Sequence, residues 1–404
     1  IDLSETVRVL VWNERLLSVV GIWPLKVYDP IFLLIFVYLS IHCTLAFADL
    51  TNYPSDLDSI VTNLSESVCL LMTLMKITIC RINRRSMAQL LTEIKKDFQY
   101  ENYKTREERL IFLYYNRLAY RFITIAVPSM AIATMVYYFK ALMTNVRLVM
   151  NNSSSIYQLP YKTRPVMEIQ DATTYAIFCT YQWLAVPTVV FGYVGSDCFF
   201  ISLALHITSQ FAVLTRTVES AFEDLDGRPS GIKKLILRHY RLIRLAETLE
   251  DDFNIVVLQQ LLGTTFHLCI SGYNAGQTVT FVIFFAYALC VLSTLFVYCY
   301  IGECLIEEST SFGEALYNYE WYNIPPLDVK LVYICMIRAR KPLKLTSGKF
   351  CALSLCTFTD KYSTLFSRIV LDTEDINGVL IRPADLFINP KIEYFLMVIV
   401  VEEK

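Results

Sequence analysis

The sequence predicts an all-α membrane protein with seven transmembrane helices, a cytosolic N-terminus, and a cytosolic helical anchor bundle formed by extensions of helices 4–7. Three observations carry that prediction. First, 55% of the 404 residues are hydrophobic and 18% are charged, with a mean hydropathy of +0.43, where a soluble domain has about 45–50% and about 25%. Second, seven stretches approach the roughly 20 apolar residues that a helix needs to cross the hydrocarbon core. Third, the basic residues gather in alternate connections, as they do when those connections stay in the cytosol.

Residues 1–29 are interspersed with charge and the first long apolar run begins only after Pro30, so no cleavable leader is expected. The spans run at about 31–49, 59–80, 120–142, 174–213, 254–273, 278–301 and 350–371. Gln259, Gln260 and His267 interrupt the fifth, which is retained because the alternation of sides requires it. The connection after span two carries Arg81, Arg84, Arg85, Lys95, Lys96, Lys104, Arg106, Arg109 and Arg117; the one after span four carries Arg216, Arg228, Lys233, Lys234, Arg238, Arg241 and Arg244. Both are read as cytosolic. Between spans three and four, Arg147, Lys162 and Arg164 face Glu168 and Asp171, and glycosylation acceptor triplets begin at Asn151 and Asn152, which puts the loop from about 143 to 173 outside. The triplet at Asn63 falls within a helix and is a chance match. An odd number of spans leaves the end of span seven facing outward.

Two helical patterns outrun the bilayer. From Thr173 to Leu214 a pattern of about 40 residues, broken only by Pro187, Gly192 and Gly195, would reach roughly 60 Å, twice the hydrocarbon thickness. Its later part, "DCFFISLALHITSQFAVL", keeps Phe199, Phe200, Leu203, Ile207, Phe211 and Leu214 at helical spacing and adds Asp197, His206 and Gln210, a stripe that needs a protein partner. The segment 302–325 carries Glu303, Glu307, Glu308, Glu314 and Glu320 without a Lys or Arg. It reads as a continuation of the sixth helix, its Leu305, Phe312, Leu316, Tyr319 and Trp321 turned inward and its glutamates set against basic neighbouring helices.

Several function classes are excluded. A net charge of −2 offers no electrostatic footprint for nucleic acid. The acidic stretch has no base, nucleophile or metal-ligand spacing beside it, so no enzyme, metal or cofactor is expected. The 12 cysteines lie mostly in apolar runs without a C-x-x-C pair and read as reduced, buried thiols. A G-protein-coupled receptor has its N-terminus outside, and no Asp-Arg-Tyr follows span three. A transporter would show paired repeats with broken half-helices.

The combination resembles the insect odorant receptor family. The resemblance rests on "GIWP" (Gly21 to Pro24) before span one, on "DCFFISLALHITSQFAVL" in the fourth helix, on "YIGECLIEES…ALYNYEWYNIP" where the sixth helix ends, and on "IRARKPLKLTSGKFCALSLCTF" leading into the last span. It covers about residues 8 to 372. It implies a ligand-gated, non-selective cation channel that a small volatile organic molecule opens. Such a subunit forms a tetramer with a shared co-receptor in the plasma membrane of sensory neuron dendrites, contacts membrane lipid, and requires no G protein. A taste-type relative, or a seven-helix receptor signalling through a cytosolic partner without conducting, is the alternative.

On this resemblance the chain divides into a cytosolic segment (1–29), helices 1–4 with a ligand pocket in the outer half (30–213), anchor helices with spans five and six (214–349), a pore-lining helix (350–372) and an atypical tail (373–404). An odorant needs an apolar, aromatic pocket with few polar groups. The candidates are Val68, Leu71 and Met72 on span two, Thr134, Tyr137 and Tyr138 on span three, Phe178, Tyr181 and Gln182 on span four, and Phe281, Phe284 and Phe285 on span six. Few carboxylates are expected there. Val370 and Leu371 would form the apolar gate with Ser363 and Ser367 below, although the chain departs from the family after Asp360 by placing Lys361 and Arg368 inside the span. Asp197, His206, Gln210, Glu307, Tyr319 and Trp321 are the anchor candidates. Lys76, near the cytosolic end of span two, is expected to snorkel.

Overall fold

The computed structural model describes residues 4–26, 28–52, 57–99, 103, 105–150, 159–167, 169, 171–223, 230–273 and 278–360; side chains are not described at 4–5, 57–58, 146–150, 223, 230, 269–273, 278–288 and 327. Eleven helices make up almost all of it. The first, α1 (Ser4–Val19), turns Val9, Leu16 and Leu17 into the bundle, and Val20 just beyond it is buried as well. It stops at Gly21, whose φ of +72° is the left-handed conformation that ends helices and that glycine adopts without penalty. The Ile22 N–H donates to the Leu17 carbonyl at 3.0 Å, satisfying one of the orphan acceptors at the helix end. A Cβ at position 21 would lie 2.7 Å from the Phe32 nitrogen. Trp23 of the "GIWP" stretch is buried edge-on against Phe199, ring centroids 5.8 Å apart.

Two helices follow as an antiparallel pair, α2 (Asp29–Asp49), which opens on Asp29 and Pro30, and α3 (Leu57–Ile82). A short α4 (Arg84–Lys95) leads to the 45-residue α5 (Arg106–Met150), which carries Pro128 in its interior. The fourth predicted span is interrupted as its Pro187 and glycines foretell. It consists of α6 (Ala172–Trp183), α7 (Ala185–Thr188), a π-helical stretch (Val189–Val194) and α8 (Gly195–Glu223). Two further long helices, α9 (Ser230–Tyr273) and α10 (Thr278–Asn318), precede α11 (Pro326–Ala339) and a small hairpin of β1 (Thr346–Ser347) and β2 (Cys351–Ala352).

The core is built around α8, packed by α5, α9 and α10. The partner that its stripe requires is thus the same chain: Phe199, Phe200, Leu203, Ile207, Phe211 and Leu214 are all buried within it. Five stretches among the described residues are long and apolar enough to span a bilayer: Asp29–Asn52, Ser59–Ile82, Arg106–Asn145, Ala172–Phe222 and Leu289–Asn318. The fifth predicted span falls in α9, and its low hydropathy has a structural reason. Gln259, Gln260, Thr264, Thr265 and His267 are buried together with Val256, Val257 and Leu261, while Ile255 and Leu262 are exposed, so the polar groups are kept inside the bundle and away from lipid. The seventh is helical from residue 355 to 360, where the described residues end. Residues 302–325 are not one continuous helix. The sixth helix stops at Asn318, a 3₁₀ turn covers Trp321–Asn323, and Pro326 starts α11 in its first turn, where a missing N–H costs nothing.

Candidate functional site

At one end of the bundle, here the loop end, residues 159–163 fold inward, and burial of Tyr161 and Thr163 makes them a stopper. Gln182 of α6 holds it: the side-chain oxygen accepts from the Tyr161 N–H at 2.9 Å, and the amide nitrogen donates to the Tyr161 carbonyl at 2.9 Å and the Thr163 hydroxyl at 2.8 Å. From α3, Asn63 donates to the Ala46 carbonyl, the Asp49 carboxylate and the Lys162 carbonyl at 3.1 to 3.2 Å. That burial removes Asn63 as a glycosylation acceptor; Asn151 and Asn152 lie outside the described residues. The Glu66 carboxylate accepts from the Tyr137 hydroxyl and, at 2.8 Å, from the Lys162 N–H. The expectation of few carboxylates fails at Glu66, whose two oxygens are both needed to tie stopper and α5 to α3.

Beneath the stopper, rings from α2, α5 and α6 close on one another. The His42 ring stacks on Tyr181 at 5.7 Å, meets Tyr161 edge-on at 6.0 Å, and lies 5.8 Å from Tyr38. Tyr137 and Tyr138 reach Tyr161 at 5.9 and 6.2 Å. Tyr38 and Tyr138 spend their hydroxyls on the carbonyls of Tyr181 and Cys179. Three polar atoms here are buried without a hydrogen-bond partner: both ring nitrogens of His42 and the hydroxyl of Tyr181. A wall of aromatic faces with a few unspent polar groups suits a small, largely apolar ligand that carries one hydrogen-bonding function.

Of the sequence-derived ligand residues, the structure brings Tyr137, Tyr138, Tyr181 and Gln182 together at this end, Gln182 already saturated by the stopper. Val68, Leu71 and Phe178 are half-buried nearby in sequence on α3 and α6. Thr134 donates to its own helix at the Met130 carbonyl. Met72 is buried against Gly263 of α9, where a Cβ would lie 2.2 Å from its methyl. The side chains of Phe281, Phe284 and Phe285 lie outside the described residues. Sequence reasoning missed Tyr38, His42, Tyr161 and Glu66. His42 had a signal, as the one imidazole in the otherwise apolar first span; Tyr161 had none, because nothing in its segment foretells an inward fold.

Halfway down, a charged centre joins four elements. The Lys76 ammonium on α3 lies 2.5 Å from Asp197 of α8 and 2.9 Å from the Gln260 side-chain oxygen of α9, and it caps the Tyr193 ring at 3.4 Å from the centroid. Tyr298 of α10 donates to the same Asp197 oxygen at 2.6 Å, and Tyr193 donates to Gln260 at 2.7 Å. Lys76 therefore does not snorkel: it is wholly buried, because a carboxylate waits within the bundle.

Lower still, in the stem formed by the far ends of α5, α8, α9 and α10, Asp97 accepts from Arg241 at 2.7 Å and meets the His206 ring at 3.2 Å. Burial alone would raise the Asp97 carboxyl, but His206 and Arg241 outweigh it and hold it below the ordinary aspartate range. Gln210 links the Tyr103 hydroxyl and Arg238. Asp197, His206 and Gln210, read as subunit anchors, are thus buried inside one chain and bind its own helices together, whereas Glu307 is exposed and Tyr319 and Trp321 are half-buried. The stem glutamates are met by basic helices only in part: Glu308 lies near Arg216 of α8, with which it lines one crevice, and accepts from the Tyr115 hydroxyl, while Glu303 accepts from the Leu355 N–H. Ser363, Ser367, Val370 and Leu371, with Lys361 and Arg368, lie outside the described residues. Among the described residues no group of His, Cys, Asp and Glu converges as metal ligands would.

Residues 56–365 match the family model described as 7tm Odorant receptor. The chain belongs to the seven-transmembrane odorant receptor family. The receptor is 23% identical to Odorant receptor 10a of Drosophila melanogaster over 385 residues, which is 88% of this chain and 93% of that one. It is 31% identical to the Odorant receptor coreceptor of Ooceraea biroi over 133 residues, 32% of this chain and 28% of the other. Its fold matches the insect olfactory receptor OR5 from Machilis hrabei with a TM-score of 0.75 at 14% identity, covering 91% of this chain and 99% of that one, and the complex of that protein with eugenol with a TM-score of 0.73 at 13% identity and the same coverage. The receptor is accordingly a predominantly helical, multi-pass membrane protein.

Proposed function

We propose that this receptor is a subunit of a ligand-gated, non-selective cation channel, opened by a small volatile organic molecule and assembled as a tetramer with the odorant receptor co-receptor. The observation that carries the reading is the ring of Tyr38, His42, Tyr138, Tyr161 and Tyr181 beneath the stopper, with hydrogen-bonding atoms of His42 and Tyr181 unspent. The eugenol complex of a protein with this fold supports a small-molecule ligand. The loop end faces outward in this reading, and the stem and N-terminus face the cytosol, in keeping with the basic connections after spans two and four. Val68, Leu71, Met72, Thr134 and Phe178, with Phe281, Phe284 and Phe285 of α10, extend the pocket. Glu307, Tyr319 and Trp321, which are not fully buried in the stem, contact neighbouring subunits. The last helix lines the pore, with Ser363 and Ser367 along it and Val370 and Leu371 at its gate. The working site is the plasma membrane of sensory dendrites.

The test is whole-cell recording from cells that express the receptor with the co-receptor, across a panel of volatiles, with the intact chain and with a chain ending at Asp372. Inward current to at least one volatile, absent without the receptor and altered by His42→Phe, is the expected result. An extracellular N-terminus by surface labelling, or current unchanged by every loop-end substitution, would overturn the reading.

A further inference from the structure

We propose that the site beneath the stopper selects a volatile that carries a neutral hydroxyl group, an alcohol or a phenol, and that His42 accepts a hydrogen bond from that hydroxyl. The inference rests on the odorant reading above and narrows its ligand to one chemical class. His42 is fully buried on α2, stacked on Tyr181 at 5.7 Å and met edge-on by Tyr161 at 6.0 Å, and neither of its ring nitrogens has a hydrogen-bond partner. The rings around it are uncharged and no carboxylate bonds it, so the imidazole is neutral. A neutral imidazole donates from one nitrogen and accepts at the other. The Tyr181 hydroxyl, buried and unpartnered as well, can do both.

Groups nearby that are already engaged decide which chemistry remains. Tyr38 and Tyr138 donate to the Tyr181 and Cys179 carbonyls. The Glu66 carboxylate accepts from the Tyr137 hydroxyl and the Lys162 N–H, and the Asp49 carboxylate from the side-chain amides of Asn52 and Asn63. An ammonium ligand would therefore meet carboxylates that are already taken, and a carboxylate ligand would bury its charge among uncharged rings. Neutral ligands are left. A ketone, aldehyde or ether only accepts: it can serve the imidazole N–H or the Tyr181 hydroxyl, but the imidazole lone pair stays enclosed and unanswered. A hydrocarbon serves neither. A hydroxyl donates to that lone pair and at the same time accepts from a neighbouring donor, so it answers both kinds of atom. Sites built to bond a hydroxyl reject analogues that lack it, because their own polar groups are then left bare.

The test is a matched panel on the full-length receptor: cyclohexanol, cyclohexanone and cyclohexane; phenol, anisole and toluene; and corresponding sets on larger skeletons. Binding is read on the purified receptor as the rise in melting temperature with dissolved volatile, and opening as current in cells that also express the co-receptor. The expected result is a half-maximal effect of the hydroxyl member at about 5- to 150-fold lower concentration than its ketone or ether counterpart. That ratio should collapse toward unity in His42→Phe and fall by less in Tyr181→Phe. Tyr317→Phe, which removes an exposed hydroxyl in the stem, should keep it. Should His42→Phe fail to fold, Tyr181→Phe and the unsubstituted receptor decide. Ketones or ethers as potent as their alcohols, or a ratio unchanged by both loop-end substitutions, overturn the hydroxyl assignment and leave the odorant reading standing. Selective binding of hydroxyl volatiles without current supports the assignment and overturns only the channel. A receptor that neither binds nor answers any volatile overturns the odorant reading, and this inference with it.

Discussion

The loop end and the middle of the bundle treat buried polarity in opposite ways. Around Lys76 and Asp197, each charge is answered within 3 Å by side chains from α3, α8, α9 and α10. Around His42 and Tyr181, neutral polar atoms are enclosed by rings and answered by nothing. An unpaired ion in a membrane interior is prohibitively costly, so a charged centre persists only when closed, and it then fixes the relative register of the helices that close it. An unpaired neutral group costs about 1–3 kcal/mol, a penalty that a folded chain carries without collapse and that an arriving ligand relieves. The first arrangement holds helices in register; the second leaves hydrogen-bonding capacity unused, as the proposed ligand site requires.

The largest effect should come from opening the closed centre. Asp197→Ala strands Lys76 and is expected to cost about 3–5 kcal/mol, seen as loss of monodisperse receptor in size-exclusion chromatography. The Lys76→Met/Asp197→Leu pair should restore it; a stable Asp197→Ala protein would mean that the pair is not closed. Acid should act on the stem as well. His239, buried against Phe312 with Cys335 3.2 Å from its ring, is pushed down to about 4 by burial and by Arg338. Because the folded form resists protonation while the unfolded form takes a proton near 6.5, stability is complete above that pH and is lost as pH falls from 6.5 toward 4, by at most about 3 kcal/mol. The melting temperature of the purified receptor should fall across that window, and His239→Gln should flatten the fall. Tyr298→Phe, which removes a hydrogen bond to Asp197, is expected to cost about 1.5–3 kcal/mol in the same melting assay. The identical change at the other end, Tyr181→Phe, removes an unpaired hydroxyl and should leave the receptor as stable as before or more so, by up to about 1–3 kcal/mol, while changing the concentration of volatile needed for half-maximal current. Equal destabilisation by the two Tyr→Phe changes would erase the contrast between the regions.

Much of the architecture was legible because lipid imposes long apolar runs that any reading of composition recovers. The fourth helix was legible in more detail, since Pro187, Gly192 and the stripe from Phe199 to Leu214 mark both its break and its buried face. Long-range pairing was not. Nothing around Lys76 announces an aspartate 121 positions later, so an interfacial explanation was the economical one, and the structure replaces it. The loop-end site was half legible: aromatic residues on the third and fourth spans pointed to it, but its stopper depends on backbone groups of residues 161 and 162 meeting Gln182, Asn63 and Glu66. Backbone acceptors and donors are the same in every sequence, which is why that half left no trace. Charge counting set the stem glutamates against basic neighbours, and Glu308 does lie near Arg216, but a hydroxyl and an amide supply the hydrogen bonds of Glu308 and Glu303.

Between Val189 and Val194 the helix that joins these two regions is wound more loosely than its flanks. Taking in or letting out a single residue there would swing everything above it by about 100° relative to everything below, since an α-helix advances 3.6 residues per turn. A shift of one residue in that winding would aim Tyr181 at a different neighbour while Asp197 stayed where it is.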